Sequence, residues 1–199
     1  MTKRLSSYTR KDIITLPHLD LRKKSAKVHV ITDETLQLID DMLSATLDWE
    51  DSRPHEIAVA LAAVQIDRLE RIIIVREDFN NKDNKNFTVL INPEVVKYEG
   101  SITYDQEGCL SVKDLYGLVP RHSKVRVRAI TPEGHEVRLK SSNPFLARVL
   151  QHEIDHTNGI CFVDHIANKK DAFSILTKDG DLEPIEYSKV EKMGVLPES

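Results

Sequence analysis

The stretch Gln151-His152-Glu153-Ile154-Asp155-His156 constrains this chain more than any other. Two histidines at i and i+4 on a helix project from one face, about one turn apart. Their imidazoles can meet at one divalent cation, with the intervening glutamate placed for proton transfer. The flanks argue for a helix: Asn143 is a good N-cap, Pro144 suits the first helical position, and Gly159 can close the C-terminus in a left-handed conformation. Phe145, Val149, His152 and His156 then share a face at helical periodicity, so the histidines continue an apolar stripe. Such a pair can also be a plain core feature, and a catalytic site needs a third ligand with a position left open.

Composition narrows the setting of that helix. The 199 residues suit one domain with a substantial core, and 40% hydrophobic with 30% charged residues is ordinary for a globular protein. The formal net charge of -4 and the lack of a basic stripe give no reason to expect direct nucleic-acid specificity. The basic start has no apolar run behind it, and nothing approaches the ~20 apolar residues of a membrane span. Cys109 and Cys161 are no disulfide framework for a domain of this size. A reducing, cytoplasmic setting without membrane attachment is expected.

In chain order, residues 1–11 read as a frayed polar start, and Arg22-Lys23-Lys24 as a solvated turn. A helix is expected after Thr32, burying Leu36, Ile39, Met42, Leu43 and Leu47. The run from Ala58 to Gln65 is almost wholly apolar until it meets an amide, and reads as a strand. Residues 71–76 and 87–92 are β-branched strands, Glu99-Gly100 a turn, and Val125–Ala129 with Glu136–Leu139 a hairpin around Thr131–Gly134. A short helix is expected over Asn168–Thr177. The fold class is α+β, with mostly antiparallel strands packed around a central metal-binding HExxH helix. Residues 1–167 form a single catalytic domain and 168–199 a C-terminal surface segment.

The third ligand has two sources. Cys109, in Glu107-Gly108-Cys109-Leu110-Ser111, can offer a thiolate upstream of the helix, although a free cysteine is commonly a small buried hydrophobe. Cys161 lies in a continuous apolar run and reads as buried. His165, downstream, would suit a zincin-type metallopeptidase.

Three segments in this order resemble the signature motifs of the peptide deformylases: Ala58–Gln65 against G-x-G-x-A-A-x-Q, Glu107–Ser111 against E-G-C-L-S, and Gln151–His156 against Q-H-E-x-D-H. The resemblance runs from about Ile14 to Asp164 and takes in Val119-Pro120-Arg121. It implies Cys109, His152 and His156 as metal ligands, Glu153 as general acid/base, and Gln65 with the backbone N–H of Leu110 as donors to the formyl oxygen. It also implies a substrate lying along Val59 and Ala60 near Gly108, with Phe145 and Val149 bordering the methionine pocket. The implied cofactor is one divalent metal, ferrous iron by the family's habit, with zinc or nickel as alternatives. The implied partners are N-formyl-Met peptides and nascent chains, with a ribosome contact left open. The one departure is that both motif glycines are replaced, by Ala58 and Ala60. A strand conformation tolerates the methyl groups, whereas a positive φ would not. A catalytically silent, metal-stabilised binding domain is the alternative, and its mark would be loss of Glu153 or Gln65. Both are present.

Overall fold

A computed structural model describes residues 7–197; the first six residues of the expected frayed start lie outside that range. Helix α1 (Asp33–Asp51) begins at Thr32, whose hydroxyl accepts from the Thr35 N–H. Seven strands follow: β1 (Ala60–Ala62), β2 (Ile72–Arg76), β3 (Phe87–Cys109), β4 (Val112–Ile130), β5 (Glu136–Lys140), β6 (Phe173–Leu176) and β7 (Leu182–Pro184). Helix α2 (Pro144–His156) lies between β5 and β6, and α3 (Tyr187–Lys192) closes the chain. All strand pairs are antiparallel, in the order β1-β2-β3-β4-β6-β7, with β5 also on β4. The fold is thus α+β.

Period-2 alternation decides which helix covers which face. Ala60, Ala62, Ile73, Val75 and Leu90 pack with Ala147, Val149, Leu150 and Ile154 of α2. Their neighbours Leu61, Ile72, Ile74 and Ile91 point the other way, onto Leu38, Ile39, Met42 and Ala45 of α1. The β1–β3 end of the sheet is therefore buried on both faces, which is why β2 is a nearly unbroken run of isoleucine and valine.

Several expectations are corrected. The buried stripe of α1 is Thr35, Leu38, Ile39, Met42, Ala45 and Thr46, with Leu36, Leu43 and Leu47 only half-buried. Thr46 can be buried because its hydroxyl donates to the Met42 carbonyl at 2.7 Å. The Ala58–Gln65 run is a strand only over Ala60–Ala62; a 3-10 turn, Ala63–Ile66, follows as the Gln65 side chain accepts from the Ala62 N–H at 2.8 Å. Glu99-Gly100 is an irregularity inside one long strand, with Gly100 at φ 75°, because β4 pairs with β3 on both sides of it. Arg22 is not free in solvent: it pairs with Asp164 at 2.5 Å and donates to the Val195 carbonyl at 3.0 Å.

The C-terminal residues also differ from a surface segment. Residues 173–176 are a strand, not a helix, since Leu115–Gly117 of β4 offers them an edge. Phe173, Val190 and Val195 are buried with Leu115, Val119 and Phe162 in a third apolar cluster. Phe173→Ala is expected to lower stability by about 3–5 kcal/mol, read by urea denaturation. A loss under about 1 kcal/mol would show that the tail lies outside the cooperative core.

Candidate active site

α2 is built as its sequence suggests. The Asn143 side chain accepts from the Leu146 N–H at 2.8 Å, Pro144 opens the helix, and Gly159 at φ 76° turns the chain away after His156. Val149, His152, Glu153 and His156 are buried, whereas Phe145 stays 44% exposed at the mouth, edge-on to Phe79 at 5.0 Å. The β3–β4 hairpin turns at Leu110-Ser111, which brings Cys109 against the helix. Its Sγ lies 3.2 Å from Nε2 of His156, and the ligand atoms of Cys109, His152 and His156 are all within 4.8 Å of one another.

Gln65 completes the inner wall. Its Oε1 is occupied by the Ala62 N–H, so its amide N–H groups face inward, 3.4 Å from Cys109 Sγ and 3.2 Å from Ser111 Oγ. Val59, Ala60, Gly108, Leu110, Phe145 and Val149 line the same cleft. Neither Ala58 nor Ala60 has a positive φ, so the two replaced glycines meet no backbone strain. Gly108 is required by crowding: a Cβ there would stand 2.6 Å from the Tyr116 ring. Cys161 is buried, its thiol pushed up by burial, and His165 bonds Asp155 at 2.7 Å, away from the three candidate ligands.

The electrostatics turn on a residue to which sequence reasoning gave no role. Glu107 accepts from Arg121 at 2.9 and 3.0 Å, from Arg148 at 2.7 Å, and meets Nδ1 of His152 at 2.9 Å. Burial alone would raise its carboxyl, but the His152 and Arg121 contacts hold it well below the usual range. The Nδ1 contact orients the ring so that Nε2 faces Cys109. Burial works against a charged His152, yet the contacts with Cys109 and Glu107 raise it well above its ordinary value. Burial pushes His156 well below its ordinary value, as suits a neutral donor. Burial also lifts Glu153 to about 7, and its Oε2 has no hydrogen-bond partner among the described residues. The available signal for the missed group was Arg148, four residues before His152 on a buried helix face, where an arginine must meet an acceptor.

A buried glutamate between two helical histidines, a cysteine in reach and an inward-facing amide together define a hydrolase pocket. A sequence model described as polypeptide deformylase matches residues 10–172. The peptide deformylase of Thermomicrobium roseum is 42% identical over 160 residues, covering 79% of this chain and 86% of that one. That of Brachyspira hyodysenteriae is 40% identical over 148 residues, 73% and 75% of the two chains. Among solved structures, the Met-Ala-Ser-bound peptide deformylase of Acinetobacter baumannii superposes with TM-score 0.71 at 30% identity, covering 81% of this chain and all of that one. The actinonin complex of the Synechococcus elongatus peptide deformylase gives 0.69 at 31% identity, with 83% of each chain covered. The chain belongs to the polypeptide deformylase family. It is a metal-dependent hydrolase that removes the formyl group from the N-terminus of newly made polypeptides.

Removing Glu107 strands two buried guanidinium groups. Glu107→Ala is expected to cost about 3–5 kcal/mol, a fall in Tm of roughly 6–20 °C for a chain of this size. A Tm within 2 °C of the parent, by calorimetry at neutral pH, would deny Glu107 this central position (about 2–4 °C per kcal/mol).

Proposed function

We propose that Cys109, His152 and His156 hold one divalent metal, ferrous iron in the native protein, and that Glu153 is the general acid/base of deformylation. The observation that carries the reading is the convergence of the three donor atoms in a cleft that Glu153 also lines, its Oε2 without a hydrogen-bond partner among the described residues. One thiolate and two imidazoles leave a fourth position free, and this donor set suits ferrous iron, zinc and nickel. When bound, such an ion acidifies water and polarises a carbonyl oxygen.

The chain's own groups perform the rest. Glu153, buried and raised to about 7, can accept a proton from the attacking water and return it to the departing amine. The inward N–H of Gln65 and the backbone N–H of Leu110 are the donors for the developing oxyanion, an arrangement in which each donor is worth about 3–4 kcal/mol. The substrate is an N-formyl-Met peptide, lying along Val59 and Ala60 and meeting the backbone at Gly108. Its methionine side chain enters between Phe145 and Val149. Residues 1–167 carry the catalytic groups, and 168–199 pack against them through Phe173, Val190 and Val195. Newly made chains as substrates argue for a cytoplasmic protein. No helix among the described residues is long and apolar enough to cross a membrane.

Glu153→Gln should retain one metal per chain while kcat on a formyl-Met peptide falls by at least about 100-fold; near-normal turnover would remove Glu153 from the mechanism. Alkylation gives an independent test of the ligands. Cys109 should resist iodoacetamide in the metal-loaded protein and react after chelation, because coordination occupies the thiolate. Cys161 should stay unlabelled in the folded protein throughout. Equal labelling of Cys109 with and without metal would count against its being a ligand.

A further inference from the structure

Behind the cleft edge, away from the three candidate ligands, lies an ion pair with both side chains fully buried: Glu50 at the end of α1 and Arg76 at the end of β2, 2.6 Å apart. Both act on one residue. The Ala58 N–H donates to Glu50 Oε2 at 2.9 Å, and the Ala58 carbonyl accepts from Arg76 Nε at 3.0 Å. The ladder between β1 and β2 reaches back only to Ala60, and one bond further, from the Arg76 N–H to the Val59 carbonyl at 2.8 Å. Beyond that point side chains, not a strand, hold the backbone that leads into the cleft edge.

The same pair reaches the opposite rim. Arg76 Nη1 donates to the Asn84 carbonyl at 2.5 Å, and Lys82 Nζ donates to the carbonyls of Glu50, Arg53 and Glu56 at 3.0–3.3 Å. The loop so tied carries Phe79, which leans on Phe145. A buried ion pair is a poor source of stability, since an apolar pair of similar volume often serves as well. Glu50 even leaves Oε1 buried without a partner among the described residues. What the pair supplies is direction: two charge-assisted bonds, one to each side of Ala58.

We propose that Glu50 and Arg76 are positioning residues for the substrate, fixing Ala58 so that Val59 and Ala60 present a straight edge to the peptide backbone. The inference rests on the placement of the peptide along Val59 and Ala60. The edge meets backbone beyond the methionine, so its loss should be felt by a formyl-Met tripeptide and not by N-formyl-methionine amide.

The test compares the parent with Glu50→Met/Arg76→Met, an uncharged pair of similar volume, in metal-loaded protein. KM for a formyl-Met tripeptide should rise about tenfold with kcat within twofold, metal content unchanged, and KM for N-formyl-methionine amide within twofold. Arg76→Lys, which keeps the charge but loses the directed Nε–H, serves if the double variant does not fold; it should show the same split. Glu50→Gln alone, which keeps an acceptor for the Ala58 N–H, should leave the tripeptide KM within about threefold of the parent. A tripeptide KM unchanged in a folded variant, or equal losses on both substrates, overturns the proposal. A parent protein inactive on both substrates would instead overturn the placement of the substrate itself.

Discussion

The buried Glu107 carboxylate is the contact on which the rest of the site depends. It joins β3, β4 and α2 at a point where no backbone ladder links helix to sheet, through Arg121, Arg148 and His152. The balance is closed by Asp155, which takes the other side of the Arg121 guanidinium, so that two cations face two carboxylates. Breaking such a set is far worse than never having built it, because each survivor is left charged and dry. The helix is thereby fixed in rotation as well as in position. A small roll of α2 would carry His152 away from Glu107 and Arg148 away from the Thr103 and Val119 carbonyls together.

What could be read from the residues follows the range of the forces involved. The ends of α2 were legible because capping is local: Asn143, Pro144 and Gly159 act within a few residues of themselves. The union of Cys109 with the two histidines was reached through a motif resemblance. Its physical basis is the tight β3–β4 turn, which no periodicity predicts. Less legible were features decided by a distant partner. The strand at Phe173–Leu176 exists because β4 has an edge to offer there, and its own residues would suit a helix equally well. The stripe of α1 shifted toward Ala45 and Thr46 because small residues let the helix sit close to the sheet. Glu50 and Arg76 are separated by 26 positions and give no pattern in sequence.

The two replaced glycines take on a different meaning in this setting. In a strand edge held only by its ladder, glycine lets the backbone adapt to whatever lies beside it. Here Ala58 is buried and bonded on both sides by side chains, and neither alanine adopts a conformation that glycine alone could reach. Restricting the unfolded chain at such positions is mildly stabilising.

Among the described residues the strand order ends on β1 and β7, with β5 a further border on β4, and these three are not alike. β5 carries Glu136, Arg138 and Lys140 along an exposed border, and β7 is three residues long and finishes in Pro184. Charge, brevity and proline are the devices by which an edge refuses a neighbour. β1 has none of them: it is Ala60-Leu61-Ala62, apolar and uncharged, shielded only by being recessed in a cleft. Of these three borders, β1 is the one that nothing in its own sequence closes to an added extended chain. On β1 the recess alone stands where the other two borders use charge or proline against pairing with another sheet.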